Sequence, residues 1–297
     1  MTRAPGQPSP SPRAADVNAV VERYHLNARD YERYWAPVLE ATSATLIEYV
    51  EWYAGGLPAG HLTVVDVGTG TGTLARAALE RWPEAQLIAT DAAAGMLDVA
   101  RERTAGFSGR VTTVLGQADQ LPLEEGSVDV ILSSFVFQLV PDRRAALREA
   151  FRLLRPGGLL AYVTWLDRDL REPFRPMEEF DEAVLSLALD EPEVAPERCA
   201  GDVPSATAAA TQLRRAGFRD VVCREDELDY HWTRDEYLEY KLAYDERTLL
   251  ASLGDEQRQR LESAARARLE QLRAEDFFWH PPIVFAAARR PAAAAAG

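Results

Sequence analysis

The chain has 297 residues, enough for one elaborated domain or a domain with a cap. Its 33 Lys and Arg face 47 Asp and Glu, a formal charge of −14 that argues against gripping nucleic-acid phosphates with clustered cations. No apolar run approaches the roughly 18 residues of a membrane span, and two cysteines, Cys199 and Cys223, are too few for a disulfide scaffold or a cysteine zinc site.

Residues 1–15 carry prolines and two arginines without an apolar stretch, which predicts a disordered leader and no signal peptide. The compartment expected is the cytoplasm, with both thiols free. Residues 16–58 predict a helical arm rich in aromatics, ended by Gly55, Gly56 and Pro58. Tyr24, Tyr31 and Tyr34 are spaced to share one helical face, so the arm is expected to close over a cofactor as a lid.

From residue 59 to 166 short apolar runs alternate with helical ones. Strands are expected at 63–67, 86–90, 110–116, 128–134 and 159–165, with helices at 71–81, 93–104 and 143–154 between them. That rhythm predicts βαβ units in an α/β fold, a mostly parallel sheet covered on both faces. Past Trp165 the rhythm breaks. Residues 167–206 form a charged, proline-bearing insert, expected to cap the substrate. Residues 207–290 hold a helix at 207–216, a strand beginning FRDVVC, a long helical segment at 233–273 and a last strand, PIVFAAA; residues 291–297 are expected to be a disordered tail.

The stretch VVDVGTGTGTLARAAL, residues 64–79, joins an apolar strand to a helix through a glycine loop. The dinucleotide fingerprint is G-x-G-x-x-G, whereas Gly68, Gly70 and Gly72 are spaced G-x-G-x-G. Such a loop suits a cofactor approached closely by backbone, without the pyrophosphate that a helix N-terminus would bind. Asp91, 19 residues beyond Gly72, ends the second strand where an acid can accept both ribose hydroxyls. The segment GQADQLP (116–122) follows the third strand, and RPGG turns into the fifth.

Taken in order, VVDVGTGTGTLA, TDAAAGMLDVAR, GQADQLPLEEGSVDVILSSFVFQLV and LRPGGLLAYVTW resemble the class I S-adenosylmethionine-dependent methyltransferases. They are most similar to the small-molecule branch containing the ubiquinone/menaquinone-type enzymes. The resemblance implies a Rossmann-like seven-stranded sheet of order 3-2-1-4-5-7-6, its last strand antiparallel. It implies that Asp66, Gly68, Thr69, Gly70 and Gly72 surround the methionine end of S-adenosylmethionine. Asp91 and Ala92 would serve the ribose, and Met96 would pack near the adenine. Ala118, Asp119 and Gln120 would lie along the adenine edge, with Ser133 and Phe135 beneath the sulfonium. Tyr24 and Tyr34 of the arm complete the expected cofactor shell.

Methyl transfer from a sulfonium is an in-line displacement that requires alignment and desolvation, and a base only where the nucleophile demands one. No metal site is expected. The adenine-N6 and cytosine-C5 nucleic-acid methyltransferases are argued against by SSFV after the fourth strand and by the lack of a Pro-Cys pair. The expected acceptor is a small or medium organic molecule, such as a secondary metabolite, handled by a monomer or homodimer without nucleic acid or membrane. Related enzymes that methylate hydroxyls often carry a His just beyond the fourth strand; this chain has Gln138 and Leu139 there. The expected catalytic pair is therefore His25 from the arm as base and Gln138 as an orienting amide. Two other readings stay open: a non-methylating, cyclase-like member using S-adenosylmethionine as scaffold, and an NAD-dependent oxidoreductase.

Overall fold

The structure, a computed structural model, describes residues 12–57, 60–168, 173–187 and 199–293. The strands are β1 (Thr63–Val67), β2 (Gln86–Asp91), β3 (Val111–Leu115), β4 (Val128–Ser134) and β5 (Leu154–Trp165). After them come β6 (Arg219–Glu227), the two-residue β7 (Tyr230–His231) and β8 (Phe278–Trp279), and β9 (Pro282–Arg289). Seven of these form one sheet in the order β3-β2-β1-β4-β5-β9-β6, while β7 and β8 pair separately as a short ribbon. With β9 as the seventh long strand this is the expected 3-2-1-4-5-7-6 order. β9 runs antiparallel between β5 and β6.

Period-two alternation explains why both faces are covered. Val64, Leu87, Leu132 and Ala161 point to one side, where α3 (Ala36–Ala54) and α4 (Thr73–Arg81) pack. Val65, Ile131, Leu160 and Tyr162 point to the other, against α6 (Arg143–Leu153) and α8 (Ala206–Arg215). Fully burying one such Val or Leu side chain stabilises the fold by about 1.5–3 kcal/mol, so a one-residue slip in β1 would be prohibitive.

Three expectations about boundaries change. The arm is three helices, not one: α1 (Pro12–Leu26), α2 (Ala28–Tyr34) and α3. Asn27 interrupts the first pair, its side-chain amide donating back to the Arg23 carbonyl at 2.6 Å in competition with the backbone. Pro37, with no N–H to give, separates α2 from α3. α1 begins at Pro12, inside the stretch 1–15 expected as a leader; residues 1–11 and 294–297 lie outside the described residues.

The segment expected to be helical over 233–273 is divided as well, into α9 (Arg234–Tyr240), a π-turn at Lys241–Asp245, α10 (Arg247–Ser252) and α11 (Asp255–Leu269). Burial pulls the Lys241 ammonium toward neutrality, but Asp245 and Glu246, at 2.6 and 2.8 Å, outweigh it and hold it charged. The third change concerns β5, which starts at Leu154 because Leu154 already pairs with Val128; residues 155–158 bulge out before Leu159 takes up Val130. In the insert, α7 (Arg175–Leu185) packs on α11.

Candidate active site

The glycine loop turns between β1 and α4 in a conformation few other residues adopt. Gly68, Gly70 and Gly72 have φ of 67°, 55° and 88°. At Gly68 a Cβ would overlap the Val136 side chain, and at Gly72 it would lie 3.1 Å from the Ala100 Cα. Gly72 therefore lets α4 pass close to α5 (Ala94–Arg103) and faces away from any ligand.

Two carboxylates hold the loop. Beneath it Asp66, 1% exposed, accepts the Thr69 hydroxyl at 2.7 Å through Oδ2, while Oδ1 has no hydrogen-bond partner. Burial pushes this carboxyl up to about 7, the Thr69 bond opposing and the nearby Asp91 adding to it. Asp91, at the end of β2, accepts Gly70 N–H and Ala93 N–H, both at 2.9 Å, and burial raises its carboxyl too.

Above the loop lies a cavity of about 600 Å³, a size ordinary for a small-molecule site. Its core side is lined by Gly68, Gly70, Asp91, Ala92 and Met96, then by Ala118, Asp119 and Phe135. Tyr24 and Gln138 reach the same space. These ten expected residues are brought together. Phe135 holds φ at 54°, unusual for a bulky side chain, with its N–H on the Val163 carbonyl at 2.9 Å and its ring 4.2 Å from Trp165.

Other expected residues lie elsewhere. Asp66, Thr69 and Gly72 sit behind the loop and support it. Ser133 is buried, donating to the Val67 carbonyl at 3.0 Å, and its neighbour Ser134 lines the cavity instead. Gln120 is exposed beyond the third-strand loop, where its N–H closes on Gln117. Tyr34 turns outward and donates to Glu239 at 3.0 Å. His25 is exposed, and its Nδ1 accepts the Gly95 N–H at 2.8 Å. There it satisfies a free donor in the first turn of α5, whose own cap, Ala93, has no side-chain oxygen. The lone pair a base would need is thus engaged, outside the cavity.

The far end of the cavity comes from segments that no motif marks. The arm contributes Val20, Arg23, Tyr31, Trp35 and Leu39, and the π-turn region contributes Tyr240, Tyr244, Asp245 and Arg247. The π-turn widens the helix so that Tyr240, Tyr244 and Asp245 all face inward. Cys199, Gly201 and Asp202 close the remaining side. This strap is tied to the loop after β4: Ala200 N–H donates to Val140 and Gly201 N–H to Gln138, at 2.8 and 3.0 Å. The buried Arg143 guanidinium clamps both by donating to the Phe137 and Gly201 carbonyls. Residues 169–172 and 188–198 of the expected cap insert lie outside the described residues. Both cysteines are free.

The core's part of this lining includes two carboxylates and no cation. A pyrophosphate would find repulsion there, whereas a cationic, ribose-bearing cofactor fits: Asp91 faces the cavity, and Gly70 leaves room for close approach. Fold and site together define an α/β enzyme built around a sulfonium nucleoside.

Known proteins agree. The methyltransferase domain family matches residues 64–158. A malonyl-[acyl-carrier protein] O-methyltransferase of Geobacter sulfurreducens is 30% identical over 226 residues, 73% of this chain and 76% of that protein. Three further enzymes of that name are matched over 39% to 49% of their own length. A ubiquinone/menaquinone biosynthesis C-methyltransferase of Methylobacterium nodulans is 42% identical over 97 residues, 32% of this chain and 38% of that protein. In fold, the chain resembles phosphoethanolamine N-methyltransferase 2 of Haemonchus contortus, solved with S-adenosylhomocysteine, at a TM-score of 0.51 and 20% identity. That likeness covers 83% of this chain and 52% of the other. The chain belongs to the S-adenosylmethionine-dependent methyltransferases.

Proposed function

We propose that the chain methylates a small or medium-sized organic acceptor whose nucleophile needs no histidine base. One observation carries this reading: none of the four histidines lines the cavity. His25 caps α5, His231 stacks on Phe278 at 4.1 Å, His280 lies 3.4 Å from Asp229, and His61 is exposed ahead of β1. A carboxylate, an amine or an acidified carbon remains as nucleophile. The Geobacter relative is named for O-methylation of a malonyl group, and a free malonyl carboxylate is already ionised at neutral pH. A malonyl thioester on acyl carrier protein is therefore the first acceptor to try, followed by carboxylates and amines of secondary metabolism.

Bound S-adenosylmethionine supplies a methyl group already activated by positive sulfur. The chain's own residues align and desolvate. Gln138 is buried, its amide donating to the Phe135 carbonyl at 2.7 Å and its oxygen accepting the Thr164 hydroxyl at 2.7 Å. It holds the wall that Phe135 and Trp165 form, and can offer its second N–H to the acceptor. The arm and the 199–202 strap exclude water from that wall.

The test is formation of S-adenosylhomocysteine and labelled methyl product from malonyl-acyl carrier protein and from pools of carboxylates, amines and hydroxyl compounds. Calorimetry with S-adenosylmethionine and with NAD accompanies it. Tight binding of S-adenosylmethionine with no turnover in any pool would favour the scaffold reading. Turnover confined to hydroxyl acceptors would refute the base-free one.

A further inference from the structure

Three tyrosines outside the motif segments meet over the glycine loop. Tyr24 of α1 and Tyr31 of α2 are edge-to-face at 6.0 Å, and Tyr31 meets Tyr244 of the π-turn at 6.3 Å. All three line the cavity beside Gly68, Gly70 and Asp91. Tyr31 is the central ring and stands directly over the loop: a Cβ built on Gly70 would come 3.9 Å from its edge.

The outer rings already hold cations. The Arg23 guanidinium lies 5.1 Å from the centre of Tyr24, and that of Arg247 lies 5.0 Å from the centre of Tyr244. Among the described residues no Lys or Arg stands over Tyr31. Its phenol is pushed well above its ordinary range, by burial first and then by Tyr24, Tyr244 and Asp91, so it stays neutral with its ring quadrupole intact. An aromatic face attracts a cation, the more so away from water.

We propose that Tyr31, held between Tyr24 and Tyr244, recognises the positive sulfur of S-adenosylmethionine and so distinguishes the charged donor from neutral S-adenosylhomocysteine. This rests on the cofactor assignment above. Transfer breaks the methyl carbon–sulfur bond, leaves its electron pair on sulfur and forms the bond to the acceptor nucleophile. The charge that Tyr31 attracts is thereby removed. Because Tyr31 belongs to the α1–α2 arm, the same event weakens the arm's hold on the product and favours release.

Calorimetry of the full chain with each ligand tests this on wild type, Tyr31→Phe and Tyr31→Leu, with thermal melts confirming the fold. Tyr31→Leu should weaken S-adenosylmethionine by about 3- to 30-fold and leave S-adenosylhomocysteine within about twofold. Tyr31→Phe should keep both affinities. Equal losses for the two ligands, or a loss in Phe as large as in Leu, would overturn the inference. Should the Leu protein not fold, Tyr31→Met carries the same expectations. Failure of both ligands to bind the wild type would instead overturn the cofactor assignment, and this inference with it.

Discussion

Replacing Asp66 by Asn should change how stability depends on pH. The Asp66 carboxyl is 1% exposed, with one oxygen satisfied by Thr69 and the other unpartnered. Burial carries it from an ordinary 3.8 to about 7, which corresponds to about 4 kcal/mol. The sign follows from proton counting. Between those two values the unfolded chain has released the proton and the folded chain retains it, so stability falls as pH rises, by about 1.4 kcal/mol per pH unit. Below pH 4 both states are protonated and the penalty vanishes; above 7 both are ionised and it is constant. Asn keeps an oxygen for Thr69 and titrates nowhere in this range. Its amide leaves one buried donor unmatched, at about 1–3 kcal/mol independent of pH. Asp91 is present in both proteins, and its repulsion of Asp66 is part of the shift that Asn removes. Urea unfolding by tryptophan fluorescence between pH 5 and 8, without cofactor, should show the stability of Asn minus wild type rising up to pH 7 and flat beyond. A difference independent of pH across that range, or one falling toward pH 7, would refute the buried, up-shifted carboxyl.

Asp91→Ala should weaken S-adenosylmethionine by about 1–3 kcal/mol in calorimetry, because it removes an acceptor from the cavity and leaves Gly70 and Ala93 N–H unpaired. An unchanged dissociation constant in a folded protein would remove its ribose role. Gly72→Ala forces a side chain into a left-handed conformation at about 1–2 kcal/mol and sets its Cβ 3.1 Å from Ala100. Its thermal midpoint should fall by several degrees, and an unshifted melt would contradict the close approach of α4 to α5. His25→Ala should leave turnover near wild type while costing about 0.5–2 kcal/mol of stability through the lost cap on α5. A rate loss of about 10²–10⁴ would restore His25 as the base.

The strands and the cofactor loop could be read from the sequence because both are local, whereas the sheet order followed only from the resemblance to the methyltransferase family. A strand such as TVVDV announces itself as a short apolar run buried on both faces, and three glycines with positive φ need no partner from far along the chain. The same locality misled at Gly72, Thr69 and Ser133. Position in a motif says that a residue belongs to the loop; it does not say which side faces the ligand. Gly72 was decided by Ala100, and Ser133 by pairing in β4, which turns alternate residues to opposite faces. Tyr34 differs for another reason: it is the last residue of α2, where its hydroxyl finds Glu239, while Tyr31, one turn earlier, meets Tyr24. His25 was drawn toward the cavity by its neighbour Tyr24, but consecutive helical residues project about 100° apart, and the two diverge.

The cavity itself divides along the same line. Its donor end is written within Gly68–Asp119, and the charges the core contributes there, Asp91 and Asp119, are negative, matching a cationic cofactor. Its far end is assembled from the arm, the 199–202 strap and the π-turn, segments separated by up to some 200 residues, and among the described residues these supply Trp35, Tyr240, Arg23 and Arg247. Long-range assembly leaves no periodic or spaced signature, so motif reading stops where substrate identity begins. It also means that the two ends can vary independently. Substitutions in the caps can change the acceptor without disturbing Asp91 or the loop, whereas substitutions beneath the loop move donor affinity for every acceptor alike. Tyr24, Tyr31 and Tyr244 are the exception, since they come from the caps yet line the cavity beside Gly68, Gly70 and Asp91; the charge recognition proposed for Tyr31 would couple the arm to the cofactor there.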